Sequence, residues 1–139
     1  MKTILITGAA GFVGGALCKQ LVAHYKVIGL YHKQKPFDLT NVAWEQLSLT
    51  DFHSVSEVCE KYSPDVIIHC AAIAHQKFGV IDRSTYLRVN SDSTKNLANA
   101  AVRANPAVKF IFLSDNYHDK VNQKYQSNIE YFYLFKKSL

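Results

Sequence analysis

Long apolar runs are missing from this sequence. None approaches the roughly 20 residues that a membrane-crossing helix needs, so no such span is expected. The opening Met1-Lys2-Thr3-Ile4-Leu5-Ile6 has the look of a secretory leader, but the glycines from Gly8 to Gly15 interrupt it too early. Cysteine is scarce. Cys18, Cys59 and Cys70 lie far apart, in no metal-binding spacing. They read as small buried hydrophobes in a reducing compartment, which suits the cytoplasm. A basic stripe is absent too. The formal charge is +5, yet Lys and Arg are scattered, which argues against nucleic-acid binding. His69 and His75 fit no zinc pattern, and a packed, hydrogen-bonded histidine is the better expectation. There is no internal repeat and no low-complexity tract. What remains is 139 residues, 48% of them apolar, which suits one domain with a real core.

What the sequence does have is a strand, a glycine turn and a helix at its start. Ile4 to Ile6 is a short apolar run that predicts a buried strand. Gly8, Gly11 and Gly14 follow at intervals of three, and Phe12, Val13, Leu17, Leu21 and Val22 predict a helix with one apolar face. This order presents backbone N–H groups and a positive helix end to a phosphate. Gly8 permits a tight turn, Gly11 the approach of a pyrophosphate, and Gly14 close packing of helix on strand. A dinucleotide site is therefore expected, with Ala10, Phe12 and Val13 completing the cradle.

Later segments alternate. Lys26 to Tyr31, Val42 to Leu47, Val66 to Ile68 and Lys109 to Leu113 predict strands two to five, the last closed by Ser114. Thr50 or Asp51 should cap a helix through Val55, Val58 and Tyr62. Ser84 opens another, which Asn105-Pro106 ends. The pattern predicts an α/β fold, a doubly wound parallel sheet of five strands in order 3-2-1-4-5, with its crevice at the carboxyl ends of strands 1 and 4. A phosphate-receiver domain shares this alternation but needs an acidic cluster at its strand ends, and the first strand here ends in Thr7-Gly8. The second strand should reach the adenosine ribose. Tyr31, His32 and Lys33 stand there with no carboxylate for a 2′-hydroxyl and one cation, which tips the expected cofactor from NAD towards NADP.

Thr-Gly-Ala-Ala-Gly-Phe-Val-Gly, Thr7 to Gly14, resembles the TGxxGxxG signature of the extended short-chain dehydrogenase/reductase family. That family holds the NAD(P)-dependent sugar-nucleotide epimerases, dehydratases and reductases. His69-Cys70-Ala71-Ala72 resembles its His-x-Ala-Ala segment. Arg88 to Leu97 resembles its Val-Asn-x-x-Gly-Thr-x-Asn-Leu stretch, with Ser93 where glycine is usual. The resemblance implies a single Rossmann-type NAD(P)-binding domain over residues 1–139. It also implies hydride transfer at a carbon of a nucleotide-sugar. By the same resemblance Ser48 and Leu49 flank adenine, with Ser48 where a carboxylate is usual. Ala71, Ala72 and Ile73 lie along the nicotinamide half, and Asn90 lies beside the cofactor-facing strands.

Beyond Ser114 the resemblance thins. The family places a Ser or Thr after the fifth strand to polarise the substrate oxygen. A helix with Tyr-x-x-x-Lys follows, in which Tyr is the acid/base and Lys lowers its pKa. Here the hydroxyl position falls at Asp115, one residue after Ser114, and an ionised Asp would repel a developing alkoxide. The pair falls at Tyr133 and Lys137, on one face of a helix expected over residues 128–139. That helix would be apolar all round and should pack on the sheet or on a second copy of the chain. The family's C-terminal substrate domain has no counterpart in this sequence. The alternative expectation is therefore a dinucleotide-binding module without catalytic activity.

Overall fold

The computed structural model describes residues 1–34, 36, 38–71, 82, 84–85, 88–114 and 129–133. Its centre is β1 (Thr3–Thr7), whose five residues are all buried. Parallel neighbours flank it, β2 (Lys26–Tyr31) on one side and β4 (Val66–His69) on the other, so Leu5 sits between Ile28 and Ile67. Outside these lie β3 (Val42–Gln46) and β5 (Lys109–Ser114). The helices are α1 (Phe12–Leu21), α2 (Phe52–Tyr62) and α3 (Ser93–Ala104), the last entered through a π turn at Arg88–Asp92.

Strand alternation divides the core between two faces. Leu5, Ile28 and Ile67 belong with Val55, Cys59 and Leu97 of α2 and α3. Ile4, Ile6, Val27 and Ile68 belong with Cys18 of α1. Both faces of the central strands are therefore covered, which is why these strands are continuous apolar runs.

The predicted order 3-2-1-4-5 is present, and a sixth strand extends it. Ile129–Tyr133, predicted as the start of a helix, is β6, paired in parallel with β5. The reason is physical. Ile-Glu-Tyr-Phe-Tyr is rich in β-branched and aromatic residues, and the edge of β5 offers unpaired backbone groups. The helical face that was to relate Tyr133 to Lys137, and to dock a second copy, therefore does not exist over these residues. Lys137, like Asp115, lies outside the described residues. In α1 a second expectation changes. Leu17, Leu21 and Val22 pack on the core, but Phe12 is 96% exposed. Val13 in the same turn is 38% exposed, so the start of α1 adds little to the apolar core.

Candidate functional site

The carboxyl ends of β1 to β4 open into a cleft of about 620 Å³. Strand order reverses between β1 and β4, and such a switch point leaves a crevice outside the strand ends. Thr7, Gly8, Ala10 and Gly11 form its floor. Tyr31, His32, Lys33 and Gln34 come from the end of β2. Ser48, Leu49 and Thr50 follow β3, and Cys70 and Ala71 follow β4. Arg88 and Ser93 close the side from the π turn and the start of α3.

Two glycines of the turn leave no room for a side chain. Gly8 has φ +62, a left-handed conformation that favours glycine. A Cβ there would also lie 2.9 Å from the Ala71 backbone nitrogen. A Cβ on Gly14 would sit 2.2 Å from the Gly8 carbonyl oxygen, so α1 can approach β1 this closely only with glycine. Gly11 is the N-cap of α1 and supplies no side-chain cap. The first N–H groups of the helix therefore lack the partner a Ser or Asp cap would give, in a positive helix end facing the cleft.

Behind the floor runs a buried hydrogen-bond chain whose proton positions can be deduced. Thr94 Oγ1 donates to the Asn90 carbonyl at 2.7 Å. Its oxygen is then the acceptor for His69 Nε2–H at 3.0 Å. His69 Nδ1 is left as an acceptor and takes the Thr7 hydroxyl proton at 2.7 Å. Thr7 Oγ1 in turn accepts the N–H groups of Cys70 at 3.1 Å and Ala71 at 3.0 Å. Burial holds the His69 pKa down at about 4, so the ring is neutral, as this chain of bonds requires. Burial likewise pushes the Cys70 thiol up to about 12, which makes it a poor nucleophile.

Of the residues expected at the site, the cleft brings together Gly8, Ala10, Gly11, Tyr31, His32, Lys33, Ser48, Leu49 and Ala71. Phe12, Val13, Gly14 and Asn90 do not line it; Gly14 is buried behind it, and Asn90 offers its carbonyl to Thr94. Ala72 and Ile73 lie outside the described residues. Ser114 and Tyr133 end β5 and β6 as register partners, so their backbones are neighbours at the carboxyl edge of the sheet. Sequence reasoning gave no site role to Thr7, Arg88 or Thr94, and took Thr50 only as a candidate helix cap. Thr7 was visible as the first residue of the glycine signature. Arg88 was not, because its aim depends on a π turn that a 3.6-residue period does not describe.

Among the described residues no Asp or Glu lines the cleft, and Lys33 and Arg88 both do. Among the described residues no His, Cys, Asp and Glu group could hold a metal ion. No described helix is long and apolar enough to cross a membrane. A glycine turn at the switch point of a doubly wound sheet, opening on the cleft at the strand ends, defines a nucleotide-binding domain of the Rossmann type.

Comparison narrows the class. Residues 4–128 match the model of the NAD dependent epimerase/dehydratase family, and the chain belongs to that family. It is 30% identical over 112 residues to the dTDP-glucose 4,6-dehydratase of Neisseria meningitidis serogroup B, covering 73% of this chain and 32% of that one. It is 32% identical over 127 residues to the UDP-N-acetyl-alpha-D-glucosaminuronate decarboxylase of Bacillus cytotoxicus, covering 84% and 38%. The UDP-glucose 4-epimerase of Brucella ovis in complex with NAD superposes with a TM-score of 0.72 at 26% identity, over 82% of this chain and 36% of that one. The chain thus spans about a third of the length of these relatives.

Proposed function

We propose that the chain binds a nicotinamide dinucleotide in the cleft, as the cofactor-holding part of a protein acting on a nucleotide-sugar. The observation that carries this is the turn held by Gly8 and Gly14, where a Cβ would meet backbone atoms, opening onto a cleft whose described lining has two cations and no carboxylate. That arrangement suits a pyrophosphate on the helix end. The ribose would meet Tyr31, His32 and Lys33, the base Ser48 and Leu49, and the nicotinamide half Ala71 and the residues after it. Lys33 is joined by Arg88, which strengthens the preference for a 2′-phosphate and hence NADP. The bound nicotinamide would supply hydride acceptance and return. Ser114 and Tyr133 are the described candidates for the acid/base role, with Asp115 and Lys137 as their sequence neighbours. Buried or half-buried thiols at Cys18, Cys59 and Cys70 support a cytoplasmic location.

The strand position of Tyr133 favours a second reading for turnover. Tyr-x-x-x-Lys chemistry needs Tyr and Lys on one helical face, and Tyr133 closes a strand instead of standing within a helix. We propose that the 139-residue chain binds the dinucleotide but turns over no nucleotide-sugar; measurable epimerase, dehydratase or reductase turnover would refute this. The direct test of the binding reading is titration with NADPH and NADH, followed by nicotinamide fluorescence. NADPH should bind tighter by about tenfold, and Lys33→Ala or Arg88→Ala should erode that margin. A clear preference for NADH would overturn the assignment of Lys33 and Arg88.

A further inference from the structure

Within the dinucleotide reading above, on which this inference rests, the base end of the cleft has an unusual donor set. Ser48, Leu49 and Thr50 line it, all three half-buried. Two backbone acceptors there are already engaged. The Ser48 carbonyl accepts Asp51 N–H at 3.0 Å, and the Leu49 carbonyl accepts from Asn96 Nδ2 at 3.3 Å. The side-chain groups left to meet a ligand are two hydroxyls. Ser48 Oγ and Thr50 Oγ1 lie 2.8 Å apart, and either can be the donor. Thr50 N–H also reaches Ser48 Oγ, at 3.3 Å.

The contact between the hydroxyls uses one of their two protons. The other is free to turn. In one arrangement Thr50 donates to Ser48, and the Ser48 O–H can point at a ligand. In the other Ser48 donates to Thr50, and the Thr50 O–H is the free one, while lone pairs remain for a ligand donor. Switching needs only rotation about C–O bonds. A carboxylate would instead be acceptor-only when ionised, and none lines the cleft among the described residues. A purine with a 6-amino group presents a donor at this edge. A 6-oxo purine presents an acceptor.

We propose that the Ser48–Thr50 hydroxyl pair reads the purine base of the dinucleotide without discriminating 6-amino from 6-oxo, so that hypoxanthine dinucleotides are accepted alongside adenine ones. The test compares NADH and NADPH with their hypoxanthine counterparts, by calorimetric titration of the full chain. Within each pair the dissociation constants should agree to about threefold. Ser48→Asp, checked for folding by circular dichroism, should make the chain favour adenine by about tenfold or more, since a carboxylate would face the 6-oxo group. Thr50→Val is a second probe: it removes the hydroxyl partner at nearly constant volume and should weaken both bases together. An adenine preference above about tenfold in the unaltered chain would overturn the proposal and assign base reading to fixed donors such as backbone N–H groups. If none of the four dinucleotides binds, the dinucleotide reading itself fails. If all bind but Ser48→Asp changes nothing, the hydroxyl pair is not what meets the base.

Discussion

His69 shows how one residue can fix three chain segments at once. Its two ring nitrogens join Thr7 at the end of β1 to Thr94 in α3, and Thr7 in turn holds the backbone of Cys70 and Ala71. The ring is 1% exposed and neutral in the fold, with its pKa held down at about 4 against 6.5. In the unfolded chain the same ring takes up a proton below about pH 6.5. Stability from this group is therefore fully present above that pH. It is lost as pH falls towards 4, by up to ~3 kcal/mol at about 1.4 kcal/mol per pKa unit. Urea unfolding of the wild type at several pH values between 4 and 7.5 would read the loss. His69→Gln, which can still hydrogen-bond but takes up no proton, should be less stable than wild type at pH 7.5 and should lose ground more slowly in acid. Parallel slopes for the two proteins would mean that His69 is not held neutral.

At the scale of elements, the outer strand β3 needs fastening, because it has a partner on one side only. Glu45 provides a fastening to α2. Its Oε1 accepts from Lys61 Nζ and from Tyr62 O–H, each at 2.6 Å. The Lys61 hydrogen bond, then that of Tyr62, holds the Glu45 pKa below 4.5. Its contribution is thus present above about pH 4.5 and disappears as pH falls through the lowered value. Lys61 is 59% exposed, so solvent screens the pair. Glu45→Gln should lower the melting temperature by about 2–4 °C at pH 7, with the gap to wild type closing as pH falls below about 4.5 and Glu45 is protonated. Elements like these differ in how far the sequence announces them. The strands β1 and β4 were legible because both their faces are buried, which leaves continuous apolar runs such as Val66-Ile67-Ile68. The cap of α2 was legible because Asp51 does there what Asp does at helix starts, accepting from His53 N–H at 3.1 Å. The strand β6 was not legible. Its composition suits a strand, but the open edge of β5 that receives it leaves no mark in the local pattern. The π turn was hidden for a related reason, since one extra residue in a turn leaves no mark on composition.

For the whole molecule, the glycine signature located the floor of the cleft, but its walls come from five separate stretches of chain. Those stretches meet only after the sheet has formed, so the presence of Arg88 and Lys33 in one cleft was beyond any local pattern. The same geometry has a thermodynamic consequence. Within the sheet, β3 and β2 reach β4 only through pairing with β1. A dinucleotide spanning the cleft would add direct ties among the ends of all four and the π turn. A ligand that binds only the folded chain raises its stability by about 2.7 kcal/mol at one hundred times the dissociation constant. For a chain of this size that corresponds to a rise of about 5–10 °C in melting temperature. The added protection should also have a pattern. Amide hydrogen exchange should slow in the segments after β1, β2, β3 and β4 and around Arg88, while β6, at the far edge and outside the cleft, should change little. Thermal scans with and without saturating NADPH, followed by exchange mass spectrometry on the same samples, would measure both. Uniform slowing across every strand would point to global stabilisation by weak, scattered binding. No shift in melting temperature would mean that the cleft does not hold a dinucleotide.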